Sequence, residues 1–174
     1  MKSKLFILTM ILFLSGCTKD GFKSIQPGQQ IYFQVEGLNY AWGIYHAGIF
    51  IDSVGNVRGY NHPGKWNFQD ESGNIPGIKI MENFEQTDTT ITIIQKDTLY
   101  KYTNKIYFAS KGQLTDPVIK MVDAGVTRYS AYLYDLKSGM YKEILLKQTG
   151  DQFIDNQSPE ANQICNWLLR IKFR

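Results

Sequence analysis

Residues 39–61 read NYAWGIYHAGIFIDSVGNVRGYN, and they set the architecture of the chain. Ile49, Phe50 and Ile51 lead into Asp52-Ser53-Val54-Gly55-Asn56, after which Val57 to Tyr60 resume an apolar and aromatic rhythm. This spacing predicts a β-hairpin whose glycine and asparagine supply the positive φ that a tight turn needs. Both parities of the first arm are apolar or aromatic, which places that arm centrally in a sheet. Gly43 and Gly48 mark bulges or close packing against another backbone.

Upstream, Ile31, Phe33 and Val35 alternate with Tyr32, Gln34 and Glu36, the period of a half-buried strand. Downstream, NHPGKWNFQDESGNIPGI, residues 61–78, carries prolines and glycines and reads as mostly loop. Leu99, Tyr102, Ile106 and Ala109 then follow helical spacing over 98–112, with Asp97 or Thr98 to cap and Gly112 to stop. The preceding TTITIIQ is β-branched and carries a strand signal. A second hairpin joins Val126–Tyr134 to Met140–Gln148 through a turn ending in Gly139. Ser158-Pro159-Glu160 opens a last helix with a capping hydroxyl, a proline and an acid, and Ala161, Ile164, Cys165, Leu168 and Ile171 form its apolar stripe. Two hairpins, a lone strand and two packed helices without βαβ alternation predict a single α+β domain, residues 30–174, on a mainly antiparallel sheet.

The first residues belong to something else. Met1-Lys2-Ser3-Lys4 precedes an apolar run from Leu5 to Leu14 interrupted only by Thr9, the pattern of a secretory signal. A membrane-spanning helix needs about 20 apolar residues, and this run is half that. Its ending, Leu14-Ser15-Gly16-Cys17, resembles the lipobox of bacterial lipoproteins. The resemblance implies that residues 1–16 are a signal peptide, that Cys17 becomes the acylated N-terminus, and that 17–29 is a lipidated tether. Acyl chains such as palmitate contribute about 0.8 kcal/mol per buried methylene, and two already anchor stably. Thr18, rather than an acidic residue, is similar to lipoproteins passed on to the outer membrane, on either its periplasmic or its outer side. YAWGIYHAGIFIDSVGNV, residues 40–57, is likewise similar to small envelope lipoproteins, a likeness that implies no activity.

Removal of the leader changes the charge. The full chain has 19 Lys and Arg against 16 Asp and Glu; without Lys2 and Lys4 the balance is +1, too little and too scattered for a nucleic-acid partner. With one of the two cysteines lipidated, Cys165 has no mate within the mature chain and reads as a small core residue.

The chemical inventory points away from an enzyme. There is no Gly-x-Ser-x-Gly elbow, no His-Glu-x-x-His, no phosphate loop, no cysteine pair for zinc, and no signature of a cofactor or metal. His46 and His62 are the only side chains suited to neutral-pH base catalysis. A pairing of His46 with Asp52 fails on a regular strand, where six residues span roughly 20 Å. Asp151, Asp155 and Asn156 read as a solvated turn that caps the last helix rather than a calcium loop. What stands out is aromatic: Tyr40, Trp42, Tyr45, Tyr60, Trp66 and Phe68 crowd one arm and the loop after its hairpin. Flat rings with polar handles suit proteins and sugar rings alike. Trp42, His46, Tyr60, His62 and Trp66 are therefore the candidate ligand contacts, and Trp66, in a loop rich in glycine and proline, is the one expected to be exposed. The expected function is a lipid-anchored envelope module that binds a protein or glycan. A hydrolase using His46 or His62 with a carboxylate, and a protective, inhibitor-like lipoprotein, are the alternatives.

Overall fold

The computed structural model describes residues 27–88 and 90–171. Cys17, the expected signal peptide and most of the expected tether lie outside the described residues. Three antiparallel strands come first: β1 (Ile31–Asn39), β2 (Tyr45–Asp52) and β3 (Asn56–Asn61). They are followed by β4 (Asn74–Pro76), α1 (Gly77–Glu85), β5 (Thr90–Ile93), α2 (Lys96–Thr103) and α3 (Ile106–Ala109). The chain continues through β6 (Val118–Ile119), β7 (Val126–Asp135), β8 (Met140–Gly150), β9 (Gln152–Asp155) and α4 (Pro159–Leu168). Among the described residues nine strands form one sheet in the order β5-β3-β2-β1-β7-β8-β9-β6, with β4 also paired to β8. Every pairing is antiparallel, and the domain is α+β. No helix among the described residues is long and apolar enough to cross a membrane.

Local chemistry explains the turns. Asp52 accepts the backbone N–H groups of Val54 and Asn56 at 3.0 and 2.8 Å, and Gly55 takes φ +92° to close the β2–β3 hairpin. Asp135 accepts from the Lys137 N–H and the Ser138 hydroxyl, and Gly139 at φ +68° closes β7–β8. Ser158 accepts the Ala161 N–H at 3.0 Å and starts α4 as a capping hydroxyl should.

Two layers cover the sheet. On one face, α2, α3 and α4 bury Phe33, Val35, Ile49, Ile51 and Val57. Phe33 meets Trp167 edge-on at 5.1 Å, and Trp167 stacks on Tyr102 at 4.2 Å. Cys165 is buried in this core, and burial pushes its thiol up to about 11. On the other face, α1 packs Ile80 over Ile31, Phe50, Tyr60, Tyr132 and Tyr141, with Trp66 closing the side. Each large apolar side chain so buried contributes about 1.5–3 kcal/mol.

The structure departs from the sequence pattern in three places. β1 is buried on both sides through Glu36 instead of half-buried, because it lies between β2 and β7 under both layers. The helix expected over 98–112 breaks after Thr103 into two short segments, α2 and α3. The segment expected to be loop already contains β4 and the start of α1, a helix without a side-chain cap whose first N–H, that of Gly77, is taken by the Gly139 carbonyl at 2.8 Å.

Candidate functional site

The five candidate residues fall into two groups on opposite faces. His46, Tyr60 and Trp66 come together on the α1 side of the sheet. Trp66 lies 4.4 Å from Tyr60 and 4.7 Å from His46, and Phe68 stacks on His46 at 5.9 Å. Trp66 is half-buried by these rings, so the expectation of an exposed Trp66 is corrected. His46 is only 5 % exposed and Tyr60 3 %.

A residue that sequence spacing did not single out holds this group together. Glu36 Oε1 sits 2.8 Å from His46 Nε2. β1 and β2 pair with Glu36 opposite Gly48 and Leu38 opposite His46, which sets the two side chains on a diagonal of one face. A hairpin signal joining β1 to β2 would have revealed the pair, but the connecting Tyr40-Ala41-Trp42-Gly43-Ile44 has no turn signature of defined length. Gln34 extends the network, donating to the Tyr60 hydroxyl at 2.8 Å and accepting from the Tyr132 hydroxyl. Burial, then the Glu36 carboxylate, hold the Tyr60 phenol well above its ordinary value; burial and Glu143 do the same for Tyr132. Gly48 makes the crowding possible, since a Cβ there would lie 2.2 Å from the Val35 carbonyl oxygen and 2.5 Å from the Tyr60 hydroxyl. Asp52 is spent on its own turn, as the roughly 20 Å separation implied.

Trp42 and His62 belong to the other face. The row Tyr129–Val35–Ile49–Gly59 is the last to join the helical core at this end of the sheet. The next row outward, Thr127–Gly37–Ala47–Asn61, lies outside that core and floors an open groove of about 430 Å³. Three small residues, Gly37, Ala47 and Gly59, keep the floor flat. Tyr45 lies over Gly37, where a Cβ would be 3.1 Å from its ring, and Ile91 lies over Gly59, at 2.9 Å. These two side chains form opposite walls. Asn61, Asp88 and Thr127 supply the polar lining, and among the described residues neither their side chains nor the Tyr45 hydroxyl bond to another side chain or backbone group.

A second hollow of about 420 Å³ shares Gly37, Tyr45 and Thr127 with the groove and runs on to Trp42, Ile44 and His62. His62 adopts φ +51°, which turns it away from the strand path so that Nε2 meets the Ile44 carbonyl at 2.8 Å and its ring meets Tyr45 edge-on. Trp42 is 84 % exposed, and Tyr40 and Ile44 beside it are also exposed. The tip of the β1–β2 connection is thus an aromatic, solvent-facing extension of the groove.

The remaining polar residues have structural partners. Asp151 accepts the Ala124 N–H, Asp155 pairs with Lys147 at 2.7 Å, and Asn156 ties Ala109, Leu145 and Ser158 together. Among the described residues no group of three His, Cys, Asp or Glu side chains is placed to hold a metal. Comparison with protein-family models, with curated proteins and with solved structures found no match.

Proposed function

We propose that the protein is a lipid-anchored module of the cell envelope, tethered to the outer membrane through Cys17, that binds its ligand in the groove between Tyr45 and Ile91. The observation that supports this reading is the groove itself: a concave surface in the size range of small-ligand sites, with a flat floor, aromatic and aliphatic walls, and unengaged polar groups. The exposed Trp42 tip widens the contact surface. An exposed aromatic cluster of this kind marks an interaction site more often than isolated surface residues do. The lipobox motif supports the anchor.

Photocrosslinking from position 42 in native envelopes, with Leu136 at the opposite end of the sheet as the control position, tests the binding role. A discrete protein or carbohydrate adduct from position 42 that is absent from position 136 supports it; identical patterns from both positions remove it. The anchor has its own test. Cys17→Ser moves the protein from the membrane to the soluble fraction, and unchanged fractionation would refute lipidation.

One observation favours a hydrolase as the second reading. His46 and Glu36 are within hydrogen-bond reach, the arrangement of a base and its orienting carboxylate. Both are nearly fully buried behind Trp66 and Phe68, so substrate access requires that segment to open. Hydrolysis of p-nitrophenyl esters by the wild type, abolished in Glu36→Gln with the fold intact, would support this reading, whereas an inert wild type would end it for that substrate class.

A further inference from the structure

The groove's chemistry is narrow enough to name a ligand class. Resting on the binding role proposed above, we infer that the groove between Tyr45 and Ile91 takes a neutral pyranose ring, the end or an internal residue of an uncharged glycan.

Four features converge on this ligand. The floor is the face of three paired strands; Tyr45 covers Gly37 and Ile91 covers Gly59, which leaves a slot over Ala47, whose side chain is only a methyl, where a flat ring fits between the two walls. The walls are an aromatic ring and an aliphatic side chain; the C–H faces of a pyranose are apolar and match them. The polar lining consists of an amide, a carboxylate, a threonine hydroxyl and a phenol, which together donate to and accept from ring hydroxyls. Charge decides the rest, since among the described residues Asp88 is the one carboxylate in the groove and no Lys, Arg or His lines it. An anionic sugar or a phosphate would meet repulsion from Asp88, and the guanidinium beside it, Arg58, does not line the groove and is engaged by the Thr87 and Asp88 carbonyls.

The same geometry disfavours an extended peptide. Peptides added to sheets gain most of their affinity from main-chain hydrogen bonds to an open strand edge. Here the groove is floored by a sheet face, and the β1–β2 and β2–β3 ladders already pair the backbone beneath it. A pyranose needs no such edge.

The test uses the full lipidated chain in detergent micelles and a panel of methyl pyranosides of glucose, galactose, mannose and N-acetylglucosamine, with methyl glucuronide as the anionic member. Saturation-transfer NMR and titration read contact and affinity. At least one neutral pyranoside is expected to bind, with glucuronide at least tenfold weaker than the matching glucoside. Tyr45→Ala should weaken binding at least tenfold and Asp88→Asn at least threefold, while Tyr45→Phe keeps most of it. If Tyr45→Ala perturbs folding, Ala47→Leu fills the groove from its floor and should abolish binding. Silence from every neutral pyranoside overturns the inference, as does binding indifferent to these substitutions or tightest for glucuronide. A position-42 crosslink to a protein alongside a silent sugar panel would overturn the sugar and keep the binding role; failure of both would remove both.

Discussion

On the helical face of the sheet Phe33, Val35, Ile49 and Ile51 share an apolar core with Ile164, Trp167 and Leu168, whereas one residue along the same strands Gln34, Glu36 and His46 are buried with Tyr60 and Tyr132 in a hydrogen-bonded row. The first face is held by area and shape. The second is held by pairing, because a buried polar group is tolerated only when its partners are present. The helical face also stops short of the strand ends, and where it stops the aromatic Tyr45 and the exposed Trp42 border a groove instead of filling a core. Aromatic content alone therefore predicts neither core nor site; its position relative to the covering layer decides.

The contrast can be broken experimentally, and the largest effect belongs to the helical face. Phe33→Ala should cost about 3–5 kcal/mol in urea unfolding, since it removes a fully buried ring against Trp167. A loss below about 1 kcal/mol would mean that this core repacks freely. Next comes alkaline pH. Burial holds the Cys165 thiol at about 11 in the fold, above its ordinary value of 9.0. Its raised value stabilises the fold fully below pH 9, and that contribution is lost as pH rises through 11. The loss is at most about 2–3 kcal/mol by linkage, and the raised Tyr60 and Tyr132 phenols act in the same direction. Urea midpoints that fall between pH 9 and 11, less steeply in Cys165→Val, would confirm this; a flat profile would contradict it.

The polar face gives a smaller and more diagnostic effect. Glu36→Ala leaves His46 without its partner and should cost about 1–3 kcal/mol. The double change Glu36→Leu with His46→Phe should recover much of that loss, because neither polar group then remains unpaired. If the double variant is no better than the single, the pair matters through the wider Gln34 network. Smallest of all, Trp42→Ala should shift stability by under about 0.5 kcal/mol while abolishing ligand contact at the tip. A large destabilisation there would show that Trp42 is a core residue after all.

Much of this plan was legible before the structure. The β2–β3 and β7–β8 hairpins followed from Gly55 and Gly139 at their turns, and α4 from Ser158 and Pro159. The centrality of β2 followed from its two-sided apolar pattern. What escaped was long-range pairing. Gln34 and Glu36 looked solvent-facing because their partners, Tyr132, Tyr60 and His46, lie on three other strands and no local period reveals them. α1 escaped because it starts after Pro76 without a capping side chain and is anchored by Gly139, far along the chain. For the site, aromatic residues were identified by type but not by face. Trp42 and His62 reached only the groove's extension, His46 and Trp66 packed on the α1 side of the sheet, Tyr45 was noticed by type but not as a contact, and Asp88 and Ile91 were recognisable only once β5 was seen beside β3.

The place of β5 carries one more consequence. It is four residues long and, among the described residues, bonded along one side only, so it ends the sheet. Such a margin opens by small local fluctuations long before the sheet unfolds, so its amide protons should trade with solvent deuterium far sooner than those of β1. Ile91 sits on that margin and walls the groove, which makes the rate of deuterium uptake at β5 a clock for occupancy: slow when something is held against Ile91, fast when the groove is empty.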